Sequence, residues 1–203
     1  MKTVVVTGGN GFLMKNVMEQ FPDHNWIAPS STEVNWVTGQ GIDNLPTENV
    51  HTFIHSAALY GGLVFNQTHG RDMLLNNTIM NANVFNYILK TKPRHVITIG
   101  SGCVYPGEAT GLLVETDIGK GRLHPSVDLY GMSKLWALSA SEQLLSNWDH
   151  LVIANMYGNH DHTAHDRSHL VGALFGKFAK AKRQNDPFIQ LIGTGVAVRD
   201  LIY

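Results

Sequence analysis

The run Val4-Val5-Val6-Thr7 breaks into Gly8-Gly9-Asn10-Gly11-Phe12 and then into a helix-compatible stretch, Leu13 to Phe21. A short apolar strand, a glycine turn and a helix start constrain the chain strongly, because together they open a βαβ unit in which the helix N-terminus faces the carboxyl end of the strand. Gly8 can adopt backbone angles closed to other residues, and Gly11 lets the main chain approach a pyrophosphate. The helix beyond offers free N–H groups and a positive dipole end. Gly8, Asn10, Gly11 and Phe12 are therefore candidate dinucleotide contacts. An ordinary tight turn is the alternative reading of this segment taken alone. Met14 stands where a third small residue would let helix and strand pack closely.

Composition narrows the class of partner. A formal net charge of −1 over 203 residues, with scattered lysines and arginines, leaves no electrostatic footprint for nucleic acid or an acidic membrane. No apolar run approaches the length of a membrane span, and Met1-Lys2 leads into a strand without a signal-peptide core. The single cysteine excludes an internal disulfide and suits a reducing compartment, so a cytoplasmic location is expected.

Strand-like and helical runs alternate along the whole chain. Strands are expected at Thr3 to Val6, Trp26 to Ala28, Val34 to Val37, Thr52 to His55, His95 to Ile99 and Leu151 to Ala154, and helices at Met73 to Lys90, Leu129 to Ser146 and Leu170 to Lys182. Strands separated by helices predict an α/β fold, a Rossmann-type doubly wound parallel sheet with helices on both faces, binding its ligand at the strands' carboxyl ends. Gly8, Ala57, Gly100 and Tyr157 should then share one rim.

Ser101 and Cys103 leave the fifth of these expected strands at that rim. Tyr130 and Lys134, four residues apart at the start of a helix, should lie on one face, a turn apart. A phenol transfers protons poorly at neutral pH, and a neighbouring ammonium favours its phenolate. A lysine can also reach a ribose, while a serine hydroxyl orients a carbonyl. Tyr-x-x-x-Lys arises by chance in roughly a quarter of chains of this composition, so the specificity lies in the order: glycine turn, serine at a later strand end, then the tyrosine–lysine pair.

The chain resembles the extended short-chain dehydrogenase/reductase superfamily and, within it, the GDP-L-fucose synthase family of epimerase-reductases. The resemblance rests on Ala57-Ala58 with Gly61-Gly62-Leu63, Gly100-Ser101-Gly102-Cys103-Val104-Tyr105-Pro106, Tyr130-Gly131-Met132-Ser133-Lys134, Asn155-Met156-Tyr157-Gly158 with His160-Asp161, Ser168-His169-Leu170, and Gly193-Thr194-Gly195 with Arg199-Asp200. It implies that residues 1–203 form an NAD(P)-binding domain, of which 156–203 begin the substrate-binding part. It further implies conversion of GDP-4-keto-6-deoxy-D-mannose to GDP-L-fucose with NADPH. Tyr130 would be the proton donor to the C4 oxygen, Lys134 its tuner and ribose anchor, and Ser101 the partner of the carbonyl. Cys103 and His169 would be the acid/base pair for inversion at C3 and C5. Ala57, Ala58 and Asn155 would join the cofactor contacts, Lys177 and Arg199 the nucleotide diphosphate, and helices 73–90 and 129–146 a homodimer contact.

Alternatives accompany this reading. Cys103 alone reads as a small buried hydrophobe. The run His160 to His169 reads as a metal site only without the resemblance, which uses His169 and leaves the other histidines of the run in loops; no metal is expected. Asn77 and Asn83 read as structural, with Asn77 bridging to the catalytic strand. Ala28-Pro29-Ser30-Ser31 supplies neither an acid for a ribose 2′-hydroxyl nor an arginine for a 2′-phosphate, and Asn10 stands where the family often carries arginine, so NADP is inherited from the resemblance and NAD stays open. Relatives are expected to continue beyond Arg199-Asp200-Leu201-Ile202-Tyr203. Another nucleotide-sugar epimerase or dehydratase is thus one alternative function, and a truncated, inactive dinucleotide-binding fragment or subunit another.

Overall fold

The computed structural model describes residues 1–163, 168, 170–191, 193–196 and 198–203. Its centre is a parallel sheet of five strands: β1 (Thr3–Thr7), β2 (Asn25–Ile27), β3 (Thr52–His55), β4 (His95–Ile99) and β5 (Trp148–Leu151). They lie in the order β2-β1-β3-β4-β5. The order reverses between β1 and β3, the switch point at which a doubly wound sheet opens its ligand crevice.

Alternation within β1 sorts two cores. Val4 and Val6 point to one face, where they pack with Ile54 and with Met14 of α1 (Phe12–Gln20). Met14 is almost fully buried there, so the residue in the place of a small one fills the interface rather than disrupting it. Val5 points to the other face and joins Phe53, Val96, Val84, Phe85 and Ile88 beneath α2 (Leu63–Thr91) and α3 (Asp128–Leu144). The edge of this core is aromatic, with Trp36, Phe53 and Tyr87 rings 5.5–6.0 Å apart.

Three elements depart from the sequence expectation. Val34 to Val37 forms a turn instead of a strand. Val34 and Trp36 are buried as a strand's alternate residues would be, but Asn35 Oδ1 accepts the N–H groups of Val37 and Thr38 and closes the backbone on itself. The Asn83 amide then holds the Trp36 and Val37 carbonyls. The last long strand lies at Trp148–Leu151, earlier than Leu151 to Ala154, because polar Asp149 and His150 pair inside the ladder. Finally, α2 starts at Leu63, ten residues before the expected Met73, and carries a non-helical residue, His69 (φ −121°, ψ 17°). Phe65 and His69 stack at 4.4 Å across that kink.

A short parallel pair, β6 (Asn155–Met156) with β7 (Leu201–Ile202), follows the main sheet, with α4 (Leu170–Gln184) between them in sequence. Among the described residues, no helix is long and apolar enough to cross a membrane.

Candidate active site

The glycine turn sits at the carboxyl end of β1 as the sequence predicts. Gly8 has φ +71°, and a Cβ on it would come within 2.9 Å of the Ala57 backbone. The position therefore needs glycine twice, for its backbone angle and for its contact. Gly11 donates its N–H to the Gly8 carbonyl at 2.9 Å and caps α1 without any side-chain bond. The N–H groups of the first helical turn, which begins at Phe12, thus carry no side-chain cap. Asn10 is exposed beside them, and Ala57 and Ala58 line the adjacent end of β3.

Thr7, the last residue of β1, fixes that neighbourhood. Its Oγ1 accepts the N–H groups of Ser56 at 3.1 Å and Ala57 at 2.9 Å. With two donors received, its own proton goes to His55 Nδ1 at 2.8 Å. His55 Nε2–H then donates to Asn81 Oδ1 at 2.9 Å, and the Asn81 amide donates to the Ser133 carbonyl at 2.9 Å. A directed chain of hydrogen bonds thereby ties the glycine turn to the first turns of α3. It requires a neutral imidazole, and burial together with the Lys134 charge holds His55 down at about 4.

On α3, Tyr130 and Lys134 lie on one face, with the Lys134 ammonium 5.7 Å from the centre of the Tyr130 ring. Lys134 Nζ donates to the Ile99 carbonyl, at the end of β4, at 2.8 Å. Burial brings Lys134 down to about 8, partly opposed by Cys103. Burial pushes the Tyr130 phenol up, and Cys103 and Tyr60 push it further. This corrects the expectation that the ammonium favours the phenolate. Lys134 sits over the ring with one N–H spent on a carbonyl, and desolvation of the phenolate dominates. Tyr130 is a protonated phenol at neutral pH.

Opposite them, the short 3₁₀ turn Gly102–Val104 carries Cys103, whose N–H donates to Ser101 Oγ at 3.3 Å. Gly131 admits α3 to this turn, since a Cβ there would meet the Cys103 carbonyl at 2.5 Å. Cys103 is a half-buried free thiol, not a core residue.

The remaining predicted residues fall elsewhere. Asn155 lies in β6, its amide donating to the Asp200 carbonyl at 3.1 Å. Lys177 lies on α4 and donates to the Gln190 carbonyl at 3.2 Å. It borders a cavity of about 450 Å³ with Lys180, Phe188 and Gln190. A second, of about 540 Å³, adjoins it on α4, and neither is lined by Ser101, Cys103, Tyr130 or Lys134. Arg199 is exposed beside β7. His169 lies outside the described residues. His160 pairs with Glu19 at 2.8 Å on the surface. Asn77 is structural, but it clamps Leu59 through both N–H and carbonyl, on the segment after β3 and not on β4. Sequence reading passed over His55, Asn81 and His150. A period-2 signal was present: Thr7, His55 and Thr98 each interrupt an apolar strand near its carboxyl end.

A parallel sheet whose first strand ends in a glycine turn, and whose fourth runs into the Ser101–Val104 turn beside the tyrosine–lysine helix, defines a Rossmann-type α/β protein. The chain belongs to the NAD dependent epimerase/dehydratase family, whose pattern it matches over residues 4–203. It is 24% identical over 98% of its length to the GDP-L-fucose synthase of Escherichia coli K12 and covers 65% of that protein. It is 26% identical to that of Azorhizobium caulinodans, matching over all of this chain and 67% of the relative. It thus spans about two thirds of the length of these relatives. The fold matches a GDP-L-fucose synthetase of Naegleria fowleri solved with NADP, at a TM-score of 0.82 and 22% identity, over 100% of this chain and 69% of the other.

Proposed function

We propose that this chain carries the dinucleotide-binding and catalytic part of a nucleotide-sugar epimerase-reductase, converting GDP-4-keto-6-deoxy-D-mannose to GDP-L-fucose with NADPH. The observation that carries the reading is the meeting of Tyr130 and Lys134 with the Ser101–Cys103 turn at the end of β4. The names of the relatives support the substrate class.

The residues present fit a dinucleotide. Gly8 and Gly9 leave no side chain in the turn against Ala57 and Ala28, and the α1 N-terminus is free of side-chain caps. Gly8, Asn10, Gly11 and Phe12 would meet the pyrophosphate, with Ala57, Ala58, Asn155, Tyr130 and Lys134 along the rest of the groove. The 2′-phosphate distinguishes NADP from NAD, yet no cation lies in the Ala28–Glu33 turn beside β2. Glu33 instead binds Ser30 through its N–H and hydroxyl. NAD(H) is therefore the alternative cofactor. When bound, the reduced nicotinamide supplies hydride to the sugar's C4.

Ser101 Oγ orients the C4 carbonyl. Tyr130, held protonated by burial, gives its proton to the C4 oxygen. The ammonium of Lys134 offsets the charge then left on the phenolate and anchors a ribose. For inversion, a proton α to a ketone must leave one face of the sugar and return to the other; Cys103 and His169 serve as that acid/base pair. Lys177 and Arg199 serve the nucleotide diphosphate. Residues 156–203 begin the substrate-binding part, and two copies pair through α2 and α3 in the cytoplasm.

The test is NADPH consumption by the purified chain with GDP-4-keto-6-deoxymannose, alone and as Tyr130→Phe. Turnover that disappears in the variant supports the reading. Turnover that persists in the variant defeats Tyr130's role, and a folded protein that neither binds NADPH nor turns over defeats the reading as a whole.

A further inference from the structure

The buried chain from Thr7 to Ser133 ends in backbone groups of opposite kind. At the β1 end the N–H groups of Ser56 and Ala57 enter Thr7 Oγ1, and at the α3 end the Ser133 carbonyl receives the Asn81 amide. Backbone groups cannot exchange donor and acceptor roles, so every link between them is forced. Thr7 spends its proton on His55 Nδ1, the imidazole carries its own on Nε2, and Asn81 turns Oδ1 to the ring and its amide N–H to α3. The other tautomer would aim a third donor at Thr7 Oγ1 and set a bare Nε2 against Asn81 Oδ1. Turning the amide over to feed that nitrogen would set Oδ1 against the Ser133 carbonyl.

Both ends abut the candidate site. The Ala57 backbone is the surface against which Gly8 packs. Ser133 lies between Tyr130 and Lys134 on α3, and its hydroxyl donates to the Tyr130 carbonyl at 2.7 Å. Thr7, His55, Asn81 and Ser133 are 0%, 2%, 5% and 1% exposed, so bulk water cannot replace a lost link.

We propose that Thr7, His55 and Asn81 form a strut of fixed polarity and act as positioning residues, holding the Tyr130–Lys134 turn of α3 in place against the Ala57 side of the dinucleotide groove. This rests on the reading of these two places as the catalytic helix and the cofactor groove. None of the three needs to touch a ligand. A buried donor or acceptor that loses its partner bears its full desolvation cost, and linked polar groups weaken together. A break at one end is therefore felt at the other, and a second break adds little to the first.

The experiment measures amide hydrogen exchange and NADPH affinity for wild type, Thr7→Val, Thr7→Ser, Asn81→Leu and the Thr7→Val/Asn81→Leu pair, and reads the wild-type His55 ring nitrogens by NMR. Valine keeps the shape of threonine and removes the hydroxyl; serine restores it. In ligand-free protein, Asn81→Leu should speed exchange at the Ser56 and Ala57 N–H groups, and Thr7→Val at the α3 turn around Ser133, each roughly tenfold, with Thr7→Ser near wild type. NADPH affinity should fall roughly tenfold in Thr7→Val and in Asn81→Leu, and by no more than that in the pair. His55 should show one neutral tautomer, protonated on Nε2. Exchange altered only at the substituted end, exchange raised evenly through the whole sheet, losses that multiply in the pair, no recovery in Thr7→Ser, or a proton on Nδ1 each overturns the proposal. If Thr7→Val or Asn81→Leu does not fold, Thr7→Ala or Asn81→Asp takes its place; the carboxylate still accepts from the imidazole but opposes the Ser133 carbonyl. The exchange and tautomer measurements need no cofactor, so a wild type that fails to bind NADPH defeats the proposed function and leaves the strut to be decided by them.

Discussion

Cys103 and Ser101 sit on one three-residue turn, yet the proposed chemistry gives them different steps. Cys103→Ser keeps the turn, whose N–H to Ser101 Oγ bond is made by the backbone. The expected outcome is a loss of C3/C5 proton exchange, followed by solvent deuterium uptake, of about 10²-fold or more. Hydride transfer to a ketone already inverted at both carbons should fall far less. Equal losses in both steps would remove Cys103 from the epimerisation. At this scale the sequence named Ser101, Cys103, Tyr130 and Lys134, because their spacing survives in one dimension. It could not show that the Tyr130 phenol is desolvated, and that desolvation reverses the expected direction of its pKa. Nor could it single out Asn81, whose partners His55 and Ser133 lie 26 and 52 residues away.

The elements were most legible where pairing and burial agree. β3 and β4 fall where the apolar runs put them, because buried parallel strands read as continuous hydrophobic segments. Val34 to Val37 has the alternation of a strand without its partners, and the Asn35 turn uses the backbone groups a ladder would need. Helix α3 depends on one close approach. Gly131→Ala would press a methyl on the Cys103 carbonyl and on Leu123 Cδ1, both within 3 Å. Alanine favours a helix by about 1 kcal/mol over glycine, but overpacking against a backbone carbonyl costs about 1–3 kcal/mol. A lower melting temperature and reduced turnover are expected together. A variant more stable than wild type and equally active would show that the turn yields freely.

For the molecule as a whole, buried His55 and half-buried His150 make acid the weak side. An unfolded chain protonates His55 near 6.5, whereas the folded one resists until about 4. Between these values the unfolded state binds more protons, so the stability is fully present above pH 6.5 and is lost as pH falls toward 4. The His55 shift corresponds to roughly 3 kcal/mol, and His150, also lowered to about 4, adds to it in the same window. Lys134, lowered from 10.5 to about 8, acts at the other end, where stability rises with pH between those values. Melting temperatures should drop steeply from pH 6.5 to 4, less so in His55→Gln. A flat profile would mean that the imidazoles are not buried and neutral.

The position of β1 between β2 and β3 also sets an order of assembly during synthesis. Of the five strands of the main sheet, the first to leave the ribosome is a central one, and Thr7 meets its second neighbour, His55, 48 residues later. Gly8 takes its place only against Ala57. The glycine turn therefore lacks its final contact in the nascent chain until β3 has emerged, and a pause in translation before that point would leave β1 with an open edge.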